Sequence, residues 1–516
     1  MANHLFDQLL AGAAGAVAIQ TEAHSLSYAD LEVETARMGA ALAALGVEPG
    51  DRVAAQIEKS TANLVLYLGA IRAGAVFLPL NPAYTQTELS YFIADAEPAL
   101  IVCDPTAHKA IGTIACGARV ETLDARGEGS LPDIAAARAP FFEPVGRREN
   151  DLAAICYTSG TTGASKGAML THGNLAANAS TLKELWQFTA ADRLIHALPL
   201  YHVHGLFVAA NVTLMAGASM ILQPKFDADA IVAAMGQATC LMGVPTFYTR
   251  LLNHPGLNAV AASEMRLFIS GSAPLLASTH RAWAARTGHS ILERYGMTET
   301  GMNTSNPYDG ERVAGTVGPP LPDVALRIVD GDGGQPVERG VTGVIQVKGP
   351  NVFAGYWRMP EKTREAFTGD GFFITGDLGV LDEAGYVTIV GRQKDLIISG
   401  GLNIYPREVE ALIDALAGVV ESAVIGLAHD DLGEAVTAVV AVGAGPGPSG
   451  DEVLAALAPH LARFKQPRRV VFVDALPRNA MGKVRKAALR ERFAGLYAAP
   501  GQDAQAGLNG EPEIST

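Results

Sequence analysis

The alternation of helix and strand signals in the first third of the chain constrains its fold more than any other feature. Ser27 can cap a helix that runs to about residue 45, and Thr85 with Glu88 forms a second capping signal. Short apolar stretches separate these helices and are expected to be strands, at 52–56, 75–80 and 99–103. Because strands joined through helices pair side by side in parallel, the pattern predicts an α/β fold of βα-layered sheets.

The pattern changes along the chain in a way that predicts more than one domain. A chain of 516 residues exceeds one ordinary core. Beyond residue 315, short strands and turns replace the βα units and indicate a β-rich subdomain. We expect an N-terminal domain over 1–390, a short connection at 391–395, a small α+β domain over 396–500 and a disordered tail at 501–516.

Charge and cysteine usage disfavour several classes of protein. The net charge of −14 disfavours nonspecific nucleic-acid binding, because the phosphate backbone would be repelled. The cysteines have neither CxxC nor metal-ligand spacing, so disulfide and zinc sites are not expected. A reducing, cytoplasmic location is therefore favoured. These four cysteines are Cys103, Cys116, Cys156 and Cys240.

No targeting or membrane segment is expected. No basic residue precedes Arg37, so the apolar stretch near the start lacks the charged region of a signal peptide. The uncharged run at 205–222 is long enough to raise the question of a membrane span. It contains Asn211, Thr213 and Ser219, so a buried helix and strand are expected there.

One loop carries the clearest chemical signal. The sequence YTSGTTGASKG at 157–167 follows an apolar, strand-like entry and combines hydroxyl side chains, glycines and Lys166. Glycine lets successive backbone N–H groups turn toward one anion, and hydroxyls and a lysine add further donors. The loop therefore suits a polyphosphate. Its spacing is not that of a Walker A loop, since Ser165 stands at the second required glycine; a flexible linker is the alternative.

Several shorter motifs follow in order. GSAP at 271–274 comes after a strand, where loops of α/β sheets meet ligands. YGMTE ends at Glu299, and a carboxylate beside a polyphosphate requires a hard cation such as Mg²⁺ between them. Asp377, Arg392 and Lys483 could bind sugar hydroxyls or phosphates. Each residue taken alone has an ordinary explanation as a solvated surface side chain.

Taken together, these motifs resemble the adenylate-forming superfamily of acyl-CoA synthetases, luciferases and peptide-synthetase adenylation domains. The resemblance covers about residues 27–489 and includes YTSGTTGASKG, GSAP, YGMTET, TGD, GRQKDLIISGGLNIYPREVE and PRNAMGKVRK. Ser165 departs from it, because the family usually has proline there. The resemblance implies a large N-terminal domain and a small mobile C-terminal domain, with the connection at 391–395 acting as a hinge.

The resemblance also implies a reaction and the residues that perform it. AMP is transferred from ATP to a carboxylate with release of pyrophosphate, and the thiol of coenzyme A then displaces AMP. Lys483 would bridge the carboxylate and the nucleotide, with Thr158 and Glu299 holding Mg²⁺. The ATP-binding residues implied are Thr158, Ser159, Gly160, Thr161, Thr162, Gly163, Lys166, Gly271, Ser272, Ala273, Tyr295, Gly296, Thr298, Glu299, Asp377, Arg392 and Lys483.

The resemblance further implies motion between the half-reactions. The small domain would rotate about Lys394, so that Ser399, Gly400 and Gly401 line the pantetheine tunnel for coenzyme A. Lys483 would then turn to solvent, where a lysine acetyltransferase and a deacylase could modify it reversibly.

The acid is the least constrained part of the prediction. The segments that correspond to the family's acyl pocket contain His204, Arg250, Ser272 and Met302 in place of an apolar tunnel. A buried second carboxylate needs a partner, and a bidentate guanidinium supplies one. Arg250 is the candidate, with an arginine on an outer helix face as the alternative. These segments look closest to malonyl-CoA synthetases, so malonate or methylmalonate is the expected substrate.

Two kinds of alternative remain open. Another branch of the superfamily would act on acetate, a medium-chain acid or an aromatic acid, load a carrier protein, or oxidise a luminogenic substrate. A noncatalytic nucleotide-binding module belongs to a different class. The joint presence of Glu299, Asp377, Arg392 and Lys483 disfavours that module.

Overall fold

The computed structural model describes residues 2–158, 165–331, 334–400, 402–443, 447–478 and 483–497, together with the short strand Ile514–Ser515. The chain divides into two compact units. The first contains Met1–Leu326 and Val347–Ile374, and the second contains Arg327–Gln346 and Thr375–Thr516. The domain boundary expected at residue 390 therefore stays a prediction. The mixed α/β fold class is confirmed.

The described residues form strands in the following order: β1 Val17–Gln20, β2 Ser25–Ser27, β3 Arg52–Gln56, β4 Val76–Pro79, β5 Leu100–Cys103, β6 Arg119–Thr122, β7 Leu152–Thr158, β8 Lys166–Thr171, β9 Arg193–His196, β10 Ser219–Leu222, β11 Cys240–Gly243, β12 Leu267–Ser270, β13 Leu292–Met297, β14 Gly301–Ser305, β15 Ala325–Val329, β16 Gly343–Lys348, β17 Gly355–Tyr356, β18 Phe373–Leu381, β19 Val387–Arg392, β20 Ile397–Ser399, β21 Leu402–Ile404, β22 Val419–His429, β23 Gly433–Val442, β24 Arg469–Val473 and β25 Ile514–Ser515.

The helices of the same residues are α1 Phe6–Leu9, α2 Tyr28–Ala44, α3 Thr61–Arg72, α4 Gln86–Ala96, α5 His108–Gly112, α6 Ser130–Ala136, α7 His172–Leu185, α8 Asn211–Met215, α9 Ala228–Ala234, α10 Pro245–Leu252, α11 Ala277–Thr287, α12 Pro360–Ala366, α13 Pro406–Ile413, α14 Gly450–Leu457 and α15 Lys486–Arg492. A π-helix spans His204–Ala210, and short 3₁₀ turns lie at Met235–Gln237, Gln393–Asp395 and Arg463–Lys465.

The first unit contains two large sheets. One has the strand order β17-β8-β7-β4-β3-β5-β6, with parallel pairing from β7 to β6 and antiparallel pairing at β8 and β17. The other has the order β14-β13-β12-β11-β9-β10-β1-β2 and is parallel from β13 to β1. Antiparallel strands occupy its two edges. The βα units predicted from the sequence thus build parallel sheet centres, as expected.

Local sequence signals account for the ends of several helices. Ser27 accepts from the backbone N–H of Asp30 and caps α2, and Thr85 with Glu88 forms the predicted capping box at α4. Helix α3 is apolar on nearly all sides and accordingly buried along most of its length. The run at 205–222 forms the π-helix, α8 and β10, and the helical residues are buried. Among the described residues, no helix combines the length and apolarity required to cross a membrane.

The second unit contains two smaller sheets. The strands β15-β16-β18-β19 form a four-stranded sheet, which confirms the β-rich texture expected beyond residue 315. A six-stranded sheet contains β20 to β25, with β23 paired to β20, β22 and β24. Apolar side chains of α13 and α14 pack on this sheet around Val409, Val436 and Val453.

A buried ion pair at the start of β9 supplies a stability prediction. Asp192 is 4% exposed and accepts bidentate hydrogen bonds of 2.7 and 2.8 Å from Arg266, with a further bond from Thr239. Burial alone would raise the pKa of Asp192, but Arg266 and the neighbouring donors hold it below its usual value. We expect Asp192→Asn to lower the free energy of unfolding by about 3 kcal/mol, because Arg266 loses its counter-charge.

Urea unfolding followed by tryptophan fluorescence measures this effect. The matched control is Glu97→Gln, which removes an exposed ion pair with Arg358 and should shift the unfolding midpoint much less. Equal midpoints for the Asp192 variant and the wild type would contradict the prediction.

Candidate active site

The predicted polyphosphate loop connects two antiparallel strands. Thr158 ends β7, Lys166 begins β8, and the two residues face each other in the ladder. The two strands therefore form a hairpin, whereas a Walker A loop connects a strand to a helix. The predicted ATP-binding residues Ser159, Gly160, Thr161, Thr162 and Gly163 lie outside the described residues, so their roles stay predictions.

Two tyrosines hold the base of this hairpin. The hydroxyl of Tyr91 on α4 donates to the backbone oxygen of Ser165 at 2.7 Å. The hydroxyl of Tyr157 donates to Asp95 at 2.6 Å, and burial together with this carboxylate raises the pKa of Tyr157. Helix α4 thereby fixes both strands at the point where the loop departs.

The predicted metal ligands lie beside the hairpin. Glu299 is 6% exposed, and the hydroxyl of Thr158 lies 3.5 Å from its Oε1 atom. The hydroxyl of Tyr356 donates to the same oxygen at 3.2 Å. The ammonium of Lys166 lies 4.8 Å from the centre of the Tyr356 ring, a cation–π distance. Tyr356 therefore contacts both Glu299 and Lys166, two charged residues that the sequence analysis assigned to ATP binding.

Sequence reasoning missed Tyr356, because the sequence around it carries only a weak signal. The two-residue strand Gly355–Tyr356 pairs with β8, the strand that Lys166 begins. An aromatic residue after a glycine in a turn-rich segment carries little information until this pairing is known.

The oxygen atoms of Thr158 and Glu299 make this arrangement suitable for Mg²⁺. Thr158 and Glu299 offer a hydroxyl and a carboxylate, which are ligands that a hard cation accepts. The described residues contain no cluster of three or more His, Cys, Asp or Glu that could hold a metal by itself. Such a site suits Mg²⁺, which usually takes its remaining ligands from phosphates and water. Bound there, the ion would neutralise charge on a polyphosphate.

The loop after β12 contains the predicted nucleotide contacts Gly271, Ser272 and Ala273. Ser272 has a φ of 71°, which is rare for a residue with a side chain and is typical of strained functional positions. Tyr295 and Gly296 lie on β13, and Thr298 follows it in the turn to β14. These residues occur at the carboxyl end of the parallel strands, where ligands bind in α/β sheets.

The residues predicted for the acyl pocket are only partly brought together. His204 opens the π-helix, is 3% exposed, and its Nδ1 atom lies 3.2 Å from the Ser272 hydroxyl. Met302 is 3% exposed and lies on β14. Arg250 is an exposed residue of α10, with its guanidinium over the ring of Phe226. This position matches the outer-face alternative of the sequence analysis, so the role of Arg250 as carboxylate partner stays a prediction with weakened support.

A different arginine lies beside Ser272. Arg294 on β13 is 2% exposed, and its guanidinium occupies the space that a side chain at Gly271 would fill, 2.4 Å from the expected Cβ position. Its Nε and Nη2 atoms have no hydrogen-bond partner within the described part of the chain. Burial lowers the pKa of Arg294 to about 9. The His204 pKa falls well below its usual range through burial first and the charge of Arg294 second.

Sequence reasoning missed Arg294 as well. The available signal was a charged residue at the entry to the YGMTE motif, two positions after the apolar pair Ile291 and Leu292. Charged residues are seldom fully buried without a partner, so a strand arginine at a ligand-binding edge is informative. The sequence could not show which face of the strand it occupies.

The remaining predicted residues belong to the second unit. Asp377 on β18 and Arg392 on β19 face each other across the ladder, with Arg392 Nε 2.7 Å from Asp377 Oδ1. Lys394 lies in the 3₁₀ turn after β19. Ser399 ends β20, and Gly400 donates to the Leu432 carbonyl at 2.8 Å. Gly401 lies outside the described residues.

Lys483 is exposed and lies directly before a β-bridge between Arg478 and Val484. Three residues further, Lys486 begins α15 and forms a 2.5 Å ion pair with the buried carboxylate of Glu410. The segment on the carboxyl side of Lys483 is thus held to the body of the unit.

Two family models match the chain over most of its length. The model described as AMP-binding enzyme matches residues 6–357, and the model of the C-terminal domain of AMP-binding enzymes matches residues 408–483. The chain belongs to the AMP-binding enzyme family. The resemblance to adenylate-forming enzymes, based on motif order, is thereby confirmed, as is the two-part architecture of a large and a small α/β region.

Individual relatives narrow the class of this AMP-binding enzyme. Feruloyl-CoA synthase of an Amycolatopsis species is 37% identical over 93% of the chain and 96% of its own length. Malonate–CoA ligase of Arabidopsis thaliana is 36% identical over 86% of the chain and 78% of its own length. The crystal structure of ATP-bound MatB from Rhodopseudomonas palustris has a TM-score of 0.95 and 58% identity, covering 96% and 100% of the two chains. The expected class, an AMP-forming acyl-CoA ligase, is confirmed.

The contact between Tyr356 and Glu299 supplies a second prediction. Tyr356→Phe keeps the ring beneath Lys166 but removes the hydrogen bond that orients the Glu299 carboxylate. Because residues that orient a metal ligand typically contribute 10- to 100-fold to metal affinity, we expect the Mg²⁺ midpoint for ATP binding to rise about tenfold. Calorimetric titration of ATP at a series of Mg²⁺ concentrations, without acid, measures it.

Tyr356→Leu is the matched variant, since it removes both the hydroxyl and the ring. It should weaken ATP binding at saturating Mg²⁺ as well, whereas Tyr356→Phe should not. An unchanged Mg²⁺ midpoint in the phenylalanine variant would show that the hydrogen bond has no part in metal binding.

Proposed function

We propose that this AMP-binding enzyme is a malonate–CoA ligase. The observation that carries the proposal is Arg294, a buried guanidinium without a carboxylate partner in the described residues, beside Ser272 and His204. A buried cation is costly unless an anion pairs with it. The distal carboxylate of malonate supplies that anion, while the other carboxylate remains for adenylation. The similarity to a malonate–CoA ligase supports the same substrate.

The reaction follows in two steps. A malonate carboxylate oxygen attacks the α-phosphorus of ATP, the bond to pyrophosphate breaks, and malonyl-AMP forms. The sulfur of coenzyme A then attacks the acyl carbon, loses its proton, and AMP leaves with the bonding electrons. Thr158, Lys166 and the loop between them would bind phosphates, Glu299 would hold Mg²⁺, and Lys483 would neutralise the two anions that must approach each other.

The alternative is a ligase for a monocarboxylate. The similarity to a feruloyl-CoA synthase at 37% identity shows that relatives at this distance differ in acid. An apolar acid would leave Arg294 unpaired, which favours the dicarboxylate. Methylmalonate remains a second candidate, because it carries the same two carboxylates and one more methyl group.

Pyrophosphate release with a panel of acids tests the proposal. The panel contains malonate, methylmalonate, acetate, a medium-chain acid, ferulate and no acid, each with ATP, Mg²⁺ and coenzyme A. We expect malonate to give the highest kcat/KM and malonyl-CoA as product. A preference for a monocarboxylate would overturn the substrate, and no AMP or pyrophosphate with any acid would revive the noncatalytic module.

Finer expectations belong to the same proposal. Rotation of the small domain about Lys394 would expose Ser399 and Gly400 to coenzyme A, and a lysine acetyltransferase would then reach Lys483. Incubation with such an acetyltransferase and acetyl-CoA, followed by mass spectrometry, tests the modification; an unmodified Lys483 counts against it. A cytoplasmic location is proposed from the four unpaired cysteines.

A further inference from the structure

A buried lysine occupies the interior of the first unit. Lys59 lies between β3 and α3 and is 8% exposed. Its ammonium nitrogen lies 2.7 Å from the backbone oxygen of His196 and 3.0 Å from the Nδ1 atom of the same residue. Among the residues that the structure describes, Lys59 forms no ion pair, and burial lowers its pKa well below the usual value. None of the residues assigned above to ATP, the metal or the acid explains it.

The contacts of His196 fix its tautomer. Its Nε2 atom lies 2.8 Å from the carbonyl oxygen of Gly205, which can only accept a hydrogen bond. Nε2 must therefore carry the proton and donate it. Burial and the nearby lysine lower the pKa of His196 well below its usual range, so the ring is neutral and Nδ1 is an acceptor. Lys59 supplies the matching donor, and every polar atom of the ring is used.

The carbonyl that His196 holds belongs to the first turn of the π-helix. This helix begins at His204, and a side chain at Gly205 would clash with the carbonyl oxygen of Pro199 at 2.0 Å. π-helical turns are rarer than α-helical ones and occur frequently at functional positions. The next contact is that between His204 and Ser272, which neighbours Gly271 and Arg294. A continuous set of contacts thus connects Lys59 to the acyl site.

We propose that Lys59 and His196 are positioning residues for acid specificity: they hold the first turn of the π-helix so that His204 contacts Ser272 beside Arg294. This inference rests on the proposed acyl site, and it adds two residues that do not contact the acid themselves. A backbone carbonyl has two lone pairs, so the Gly205 oxygen can accept from His196 in addition to any bond within the helix. A buried side-chain network whose polar atoms are satisfied rigidifies a unique arrangement.

Four variants of the full-length enzyme test the proposal. Lys59→Met removes the donor, and His196→Leu removes the ring. His196→Gln retains an acceptor for Lys59 and a donor for Gly205, so it should preserve most activity. The double variant Lys59→Met with His196→Leu distinguishes a positioning role of Lys59 from direct contact between Lys59 and the acid. For each, kcat/KM for malonate and KM for ATP are measured by pyrophosphate release, together with the thermal unfolding midpoint.

We expect Lys59→Met and His196→Leu each to lower kcat/KM for malonate about 10- to 100-fold, as for a buried hydrogen bond whose remaining partner is left unsatisfied, with KM for ATP nearly unchanged. The double variant should be no worse than either single variant, because both act through the same contact. Asp192→Asn is the matched control, since Asp192 lies at the opposite end of β9 and its loss should destabilise the sheet without selective loss on malonate.

Other outcomes would overturn the proposal. Additive losses in the double variant would mean that Lys59 contacts the acid directly. Equal losses for malonate and ATP, or a matching loss in Asp192→Asn, would mean a purely structural role. The acid panel with the wild-type enzyme tests the proposed function separately. If the wild type prefers another acid, malonate is not the substrate. The kcat/KM values of the variants are then measured with the preferred acid, and they still decide the role of Lys59. If Lys59→Met does not fold, the contrast between His196→Gln and His196→Leu decides it.

Discussion

Lys483→Ala should slow adenylation of malonate about 10²- to 10³-fold while leaving thioester formation from supplied malonyl-AMP nearly unchanged. The physical reason is that adenylation brings two anions together, and removal of one positioned charge or donor costs roughly this factor. The second half-reaction starts from an adenylate in which those anions are already joined. Lys483 is exposed in the structure, so its removal is not expected to affect folding.

Isotope exchange between pyrophosphate and ATP measures the first half-reaction, and release of AMP from synthetic malonyl-AMP with coenzyme A measures the second. Lys465→Ala is the matched control, because Lys465 is a lysine of the same unit that pairs with Glu408 at 2.7 Å and has no assigned role. Equal loss in both half-reactions would mean that Lys483 does not act specifically in adenylation.

Arg294→Gln should abolish the preference for a dicarboxylate. A site built to pair a substrate group typically rejects an analogue without that group by about 10⁴, because its own buried polar atoms are left unpaired. Without the guanidinium, that penalty moves to malonate, whose distal carboxylate would be buried without a counter-charge. We expect kcat/KM for malonate to fall about 10⁴-fold, with a much smaller change for acetate.

The unfolding midpoint provides a second measurement on the same variant. Two nitrogens of Arg294 lack partners in the described residues, and burial depresses the pKa of the guanidinium to about 9. The free enzyme therefore retains a buried charge that costs stability, and Arg294→Gln should leave the midpoint unchanged or raise it. A lower midpoint would show that Arg294 supports the fold.

Arg250→Ala is the decisive comparison, because the sequence analysis assigned the distal carboxylate to Arg250. Arg250 is exposed on α10 and its guanidinium lies over Phe226, so we expect this variant to retain the malonate preference. If Arg250→Ala loses the preference and Arg294→Gln keeps it, the original assignment is correct and the structural argument for Arg294 is wrong.

The difference between these two arginines shows what the sequence alone could not predict. The sequence analysis placed Arg250 in a segment that corresponds to the acyl pocket of the family and did not single out Arg294, although either guanidinium could pair with a carboxylate. The choice depends on which face of a helix or strand each side chain occupies. For Arg294 that face is defined by Gly271, whose missing side chain makes room for the guanidinium. Two residues 23 positions apart cannot be recognised as neighbours from local pattern.

The sequence by itself determined the family, the parallel βα layering, and the positions of the capped helices, because these depend on local propensity, hydrophobic period and motif order. Only the tertiary structure decided that β7 and β8 pair as a hairpin, that Tyr356 contacts Glu299, and that His196 contacts both Lys59 and the Gly205 carbonyl. The Tyr356–Glu299 and Lys59–His196 contacts join residues 57 and 137 positions apart. Packing of whole strands sets such distances, and no local signal encodes them.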